Sequence, residues 1–292
     1  MKRQPVAIIG AGRMGQGLAL ALSAAGTKVV LLSRRPRELA PPLVLHPGPR
    51  REAVRAAGLV LLATPDDAIP QVAAELADEQ AVGPSQVVLH VSGVLDRRAL
   101  RPLDASGAGL GSFHPLQTIV DPSAAAQRLA GCYVGIEGDD RALAVGQRLA
   151  ADLRMHPVVL AADRKATYHA AAVFAANYSI ALAGIAERLA RSAGVPPEVA
   201  GQLYLPLMRG AVSNLELGPA AALTGPIRRG DVETIRAHLA ALDPADRQLY
   251  RSLGLAALRL AREAGLETKA ARAMERILTG PDEAETFSPG RP

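Results

Sequence analysis

The run Val6-Ala7-Ile8-Ile9-Gly10-Ala11-Gly12-Arg13-Met14-Gly15 constrains the fold of this chain more than any other stretch. A short apolar segment meets a glycine-rich turn, and an Ala/Leu-rich helical pattern continues from about Met14 to Ala25. Strand, tight turn and helix in that order are the context in which a G-x-G-x-x-G spacing carries meaning. Gly10 lets the chain turn sharply off the strand, Gly12 lets the backbone approach an anion closely, and Gly15 lets the helix pack on the strand. The unpaired N–H groups and positive dipole end of the helix then face that anion. Gly10, Gly12, Arg13, Met14 and Gly15 are therefore expected to form a dinucleotide pyrophosphate site.

The residues just after the second strand, Lys28–Leu32, decide which dinucleotide is expected. An NAD site places Asp or Glu there, about 20 residues past the glycines, on the ribose 2′-hydroxyl. This chain has Ser33-Arg34-Arg35. A hydroxyl and paired guanidiniums suit a 2′-phosphate, because Arg grips phosphate with charge-assisted hydrogen bonds. NADP is therefore expected, the bland alternative being a solvated basic loop. The overall charge, 33 Lys+Arg against 28 Asp+Glu, is spread along the chain. It fits anionic small molecules and argues against a nucleic-acid surface.

The continuous apolar run Gly58–Ala63 reads as a parallel strand buried on both faces. It ends at Thr64-Pro65, and ligands of open α/β sheets sit beyond such carboxyl ends, so Thr64 and Pro65 are expected to border the cofactor. Gln86–Val91 is a further buried strand and ends in Ser92-Gly93. Ser92 either donates to a substrate carboxylate or carbonyl or caps a helix over Leu95–Leu100. His114, held by Pro115 with Gln117 and Thr118 beyond, is a stronger candidate than His46, His90 or His156. It either polarises a carbonyl or exchanges a proton near neutral pH, or it merely ties loops together. Strands over Cys132–Glu137 and Met155–Leu160 flank a helix over Asp139–Asp152 and close the first domain.

From Asp163 the β signals stop. The stretch to about Ser192 has no proline and one glycine, so it reads as a single helix of roughly 30 residues. So long and apolar a helix belongs at the centre of a bundle or in a subunit interface. Its start carries Lys165, Tyr168 and His169, with Asn177 further on. Lys165 and His169 are one turn apart and share a face. Asn177 falls about 120° around and about 18 Å along from Lys165, so the two cannot grip one atom. The alternative for Lys165 is a surface lysine in a first turn. Further helices are read over about 198–217, 231–242, 245–264 and 268–278. Between the first two, Leu223–Asp231 is a polar turn in which Arg228 and Arg229 hold a substrate carboxylate or cofactor phosphate, or are exposed loop charges, and Asp231 is a plausible N-cap.

A hydrophobic share of 49% supports real cores, and with aromatics at 3% and no Trp these must be built from Ala, Leu and Val. One cysteine, Cys132, excludes an internal disulfide and fits a reducing compartment. No signal-peptide pattern and no apolar run long enough to cross a bilayer are read, so a cytoplasmic protein without a membrane partner is expected. No metal site is assigned.

The chain resembles the β-hydroxyacid dehydrogenase type of two-domain reductase, the group that includes ketopantoate reductase and pyrroline-5-carboxylate reductase. More narrowly, Ser112–Thr118, Lys165–Asn177 and Leu223–Asp231 resemble the Rossmann-like proteins with a C-terminal domain of unknown function, DUF2520. The resemblance implies an α/β fold: an N-terminal Rossmann-type, mostly parallel sheet followed by an all-α C-terminal domain with one long helix. The expected boundaries are 1–161, 162–279 and a disordered tail, 280–292. Better-known relatives use a catalytic Lys with an Asn one turn later and a Ser-Gly pair after a strand; Lys165, Ser92 and Gly93 match, and His169 stands in place of that Asn. The expected function is an NADP-dependent oxidoreductase of a small carboxylated carbonyl, hydroxy acid or imine. Lys165 would be the general acid/base or an electrophile on the reacting oxygen, assisted by His169 or His114, and Ser92, Gly93, Asn177 and Arg228 the substrate contacts. The alternative is an NADP-binding sensor without catalysis. A homodimer is expected.

Overall fold

The computed structural model describes residues 4–280, so the expected disordered tail lies outside the described residues apart from Gly280. The chain forms two compact units, Met1–Leu182 and Ala183–Pro292. They part inside the long helix, whereas the expected boundary, 161/162, lies ahead of it.

The first unit is built on a seven-stranded sheet in the order β2-β1-β3-β4-β5-β6-β7. The strands are β1 (Val6–Ile9), β2 (Val29–Leu32), β3 (Leu59–Leu62), β4 (Val87–His90), β5 (Gly109–Pro115), β6 (Tyr133–Gly138) and β7 (His156–Val159). Every neighbouring pair is parallel except β5 with β6. The short strand expected around Leu43–His46 reduces to one bridge, Leu31 to Leu45. Pro41, Pro42 and Pro47 leave that segment too few amide donors for a ladder.

Helices α1 (Arg13–Ala24), α2 (Arg50–Ala56), α3 (Ile69–Asp78), α4 (Ala125–Leu129) and α5 (Asp140–Asp152) cover the sheet. Successive strand residues face opposite sides. Ile8, Leu61, Leu89 and Phe113 join Leu18 and Leu22 of α1 in one core layer. Ile9, Leu62 and Val88 join Ile69 and Leu76 of α3 in the other. From β1 the chain goes to β2 on one side and returns to β3 on the other, which opens a crevice at the carboxyl ends of these strands.

The long helix runs from 162 to 192 and is bent. Its parts α6 (Lys165–Ala175) and α7 (Asn177–Ser192) meet at Ala176, where φ is −110° and ψ −63°. Ser179 Oγ donates to the Ala175 carbonyl at 3.0 Å, a back-bond of the kind that bends helices. The most apolar window of this 31-residue helix has a mean hydropathy of 1.4 and no buried residue. By length and composition alone it is therefore long enough to cross a membrane, which corrects the expectation that no apolar stretch is.

The second unit is helical: α8 (Pro197–Leu203), α9 (Leu205–Asn214), α10 (Pro219–Ala222), α11 (Pro226–Arg229), α12 (Val232–Ala241), α13 (Pro244–Glu263) and α14 (Thr268–Thr279). The single helix expected over 198–217 breaks at Tyr204, because Pro206 in the first turn of α9 has no N–H to continue the ladder. Ile235, Leu239, Leu258, Met274 and Leu278 form its core. Asp231 caps α12 as its position predicts, accepting from Thr234 N at 3.2 Å and from Thr234 Oγ1 at 2.7 Å.

Candidate active site

The glycine turn after β1 has the geometry its spacing implies. Gly10 has φ +116°, and a Cβ there would strike the Ala63 carbonyl. A Cβ on Gly15 would strike the Gly10 carbonyl, so these two glycines bring α1 against the strand ends. A Cβ on Gly12 would meet nothing within 4 Å. Gly12 is the N-cap of α1 and offers no side-chain cap, which leaves the helix's first amides open.

Beside this turn lies a cavity of about 800 Å³. Gly10, Gly12, Ser33, Arg34, Arg35, Thr64 and Pro65 all line it, as do Arg37, His46 and Arg50. Arg13, Met14 and Gly15 are not in its wall: Arg13 is exposed, Met14 packs against the core, and Gly15 is buried. The loop carrying the arginines is pinned by Gln16 of α1. Its side chain donates to Ala11 O at 3.0 Å and Glu38 O at 3.1 Å and accepts from Ala40 N at 2.8 Å. Glu75 of α3 enters the same cavity, where Arg50 binds it at 2.7 Å and Arg34 lies 4.0 Å away. Arg50 beside it holds the Glu75 carboxyl below the usual range. Thr64 Oγ1 is buried without a hydrogen-bond partner among the described residues.

Strands β4 and β5 run parallel to β3, so their carboxyl ends lie on the same sheet edge. There the structure gathers Ser92, Gly93, His114, Lys165 and His169. Lys165 is fully buried, which rules out the surface-lysine reading. Its Nζ donates to Ser92 O at 3.1 Å and to Ser112 Oγ at 2.6 Å. Burial brings its pKa down from 10.5 to about 8, against the pull of Glu137, Asp96 and Asp66. Ser92 Oγ accepts from Val94 N at 3.3 Å and Leu95 N at 3.1 Å, while Asp96 caps the 3-10 helix Arg97–Ser106 that replaces the helix expected over Leu95–Leu100.

His114 Nδ1 lies 3.2 Å from Tyr168 Oη, and its ring meets that of His169 edge-on at 5.6 Å. Burial, with the positive neighbourhood of His169 and Lys165, lowers the His114 pKa to about 4, so the ring is neutral at neutral pH. A Cβ on Gly93 would run into both imidazoles. Only glycine lets them approach this backbone. His169 Nδ1 is buried without a partner among the described residues. Asn177 lies past the bend, exposed. Arg228 belongs to the second unit, where Nη2 donates to the Ala264 carbonyl at 2.9 Å.

Three buried groups at this edge have no role assigned from sequence: His90, which ranks below His114 as a candidate, Ser112, which enters only as the start of the Ser112–Thr118 motif, and Glu137. His90 accepts from Ser92 N at 3.3 Å through Nδ1, so its Nε2–H donates to Asp96 O at 3.1 Å. Desolvation takes its pKa to about 4. Ser112 stands opposite Glu137 in the β5–β6 register, and both are buried. A polar residue inside an apolar strand, two before His114 and so on its face, is a signal that sequence carries for Ser112; the pairing with Glu137 is not.

Family models match in two places, a Rossmann-like domain over residues 1–115 and the domain of unknown function DUF2520 over 132–257. No curated protein matches the sequence. Among solved structures, a Bacteroides fragilis protein assigned as an NADP oxidoreductase superposes with a TM-score of 0.68 at 23% identity, over 87% of this chain and 98% of that one. Plasmodium falciparum pyrroline carboxylate reductase with NADP bound gives 0.59 at 12% identity, over 96% and 100%. An imine reductase from Myxococcus stipitatus in complex with NADP+ gives 0.56 at 18%, over 89% and 93%. At these identities the likeness establishes the fold. The chain joins a Rossmann-like N-terminal domain to a C-terminal domain of the DUF2520 family.

Proposed function

We propose that the chain is an NADP-dependent oxidoreductase of a small carboxylated carbonyl, hydroxy acid or imine. The observation that carries this reading is Lys165, fully buried with a pKa of about 8, at the same sheet edge as the glycine-lined cavity. A group titrating there is suited to proton transfer near neutral pH.

The cavity fits a dinucleotide. Open space at Gly12, the uncapped start of α1 and the unpartnered Thr64 Oγ1 suit an anionic ligand with hydrogen-bonding edges. Ser33, Arg34 and Arg35, with Arg37, suit a 2′-phosphate. The NADP named with the similar solved structures supports the same assignment. When bound, the cofactor supplies the hydride. Lys165 Nζ holds and delivers the proton, and Ser92 O and Ser112 Oγ fix its direction. His114 and His169, with Gly93 between them, orient the substrate's oxygen or nitrogen.

The test is Lys165→Ala assayed for NADPH oxidation across a carbonyl and imine panel. Turnover is expected to vanish with NADPH binding intact; equal activity removes Lys165 from the mechanism. His169, standing where better-known relatives carry Asn and with its buried Nδ1 unpartnered among the described residues, favours a second reading, an NADP-binding sensor without catalysis. Such a protein binds NADPH and turns over no member of the panel.

A further inference from the structure

We propose that Ser112 and Glu137 are positioning residues that hold the Lys165 ammonium in its charged form and aim it. Strand register brings the groups together. On one face of the sheet, His90, Ser112 and Glu137 occupy neighbouring positions on β4, β5 and β6, partnered in turn. All are buried, in a row where the preceding strands place Ile9 and Leu62. Polar groups in such a place are costly unless their bonds are made.

Those bonds are made in one direction. Ser112 Oγ accepts from Lys165 Nζ at 2.6 Å, so its hydrogen is free to donate to Glu137 Oε2 at 3.3 Å. Glu137 Oε2 also accepts from Arg97 N at 2.9 Å, a second bond that holds the carboxylate in place. A hydroxyl polarised by a carboxylate is a better acceptor for an ammonium. Other groups act on Lys165 as well: Asp96 and Asp66 favour its charge, while His90 and His114 stay neutral at neutral pH. Glu137 acts most strongly among the charges, and Ser112 is its direct link to Nζ.

The inference rests on the proposed function only for its catalytic consequence, since it concerns the protonation of one side chain. The lysines of this chain are Lys2, Lys28, Lys165 and Lys269, so each Nζ can be followed by NMR after isotopic lysine labelling. In the native chain Lys165 is expected to titrate near 8. Glu137→Gln is expected to lower that midpoint by about one pH unit or more, the usual effect of an opposite charge within about 4–6 Å. Ser112→Ala should lower it in the same sense. Unchanged signals of Lys28 and Lys269 report an intact fold. A Lys165 midpoint unmoved by Glu137→Gln overturns the proposal, and if that variant does not fold, Ser112→Ala decides by the same criterion. A shifted midpoint with no turnover in the native protein leaves the proposal standing and defeats the enzyme reading.

Discussion

Lys165 Nζ donates to Ser112 Oγ across 2.6 Å, although 53 residues separate them in sequence. The contact joins the start of the long helix to β5 and buries the only described lysine that the first unit turns inward. Arg cannot give up its proton in a protein. Lys165→Arg is therefore expected to keep the charge and lower turnover by roughly 10²–10⁴, the usual contribution of a general acid or base. Steady-state kinetics beside thermal unfolding of the same variant separate this outcome from a folding defect.

Gly12 gives a sharper probe of the cavity. Its φ of −75° suits any residue, and a Cβ there has no protein neighbour within 4 Å. Gly12→Ala should unfold at the native temperature yet bind NADPH at least about tenfold more weakly, since tenfold corresponds to about 1.4 kcal/mol. Unaltered affinity would mean that no ligand occupies that space. Gly15→Ala, by contrast, should lose stability, because its Cβ meets the Gly10 carbonyl.

Buried histidine makes stability depend on pH. The pKa of His90 falls from 6.5 unfolded to about 4 folded, so the unfolded chain binds more protons between those values. Its contribution is fully present above pH 6.5 and lost as pH falls towards 4, about 3 kcal/mol at the low end. His114 acts with the same sign. Denaturant midpoints measured from pH 4 to 7 should rise with pH, and His90→Gln should flatten that slope.

Much of this architecture is legible in the residues. Apolar runs at Val6, Val29, Leu59 and Val87 announce parallel strands because both their faces are buried, and the Gly10–Gly15 spacing fixes the turn after the first. Lys165, His169, His114, Ser92 and Gly93 each stand out by type and local setting, and the structure brings them to one edge. Glu137 does not stand out, because its role depends on β6 pairing antiparallel with β5, a relation between distant segments. Arg50 is hidden for a similar reason: it opens α2 straight after a proline-rich loop that carries no periodicity, and only the fold brings that helix start to the cavity. The bend at Ala176 needs no proline or glycine; the Ser179 back-bond that accompanies it is a detail of side-chain rotamer.

The exposed apolar surface of α6 and α7 has a consequence for assembly. Phe174 and Ile180 are 68% and 74% exposed on a helix whose most apolar window is wholly unburied. A homodimer that covers this helix is the assembly expected. Multi-angle light scattering in detergent-free buffer should report twice the monomer mass. A monomer that becomes soluble only with detergent would assign the helix to a lipid environment instead.

The central claim is that the cavity holds NADP, and paired fluorescence titrations with NADPH and NADH test it most directly. The account predicts tight NADPH binding, weak NADH binding, and a loss of about tenfold or more in NADPH affinity for the Arg34→Ala, Arg35→Ala double variant, since hydrogen bonds to charged groups are worth about 1.5–3 kcal/mol. Equal affinity for the two nucleotides, or binding of neither, would contradict it.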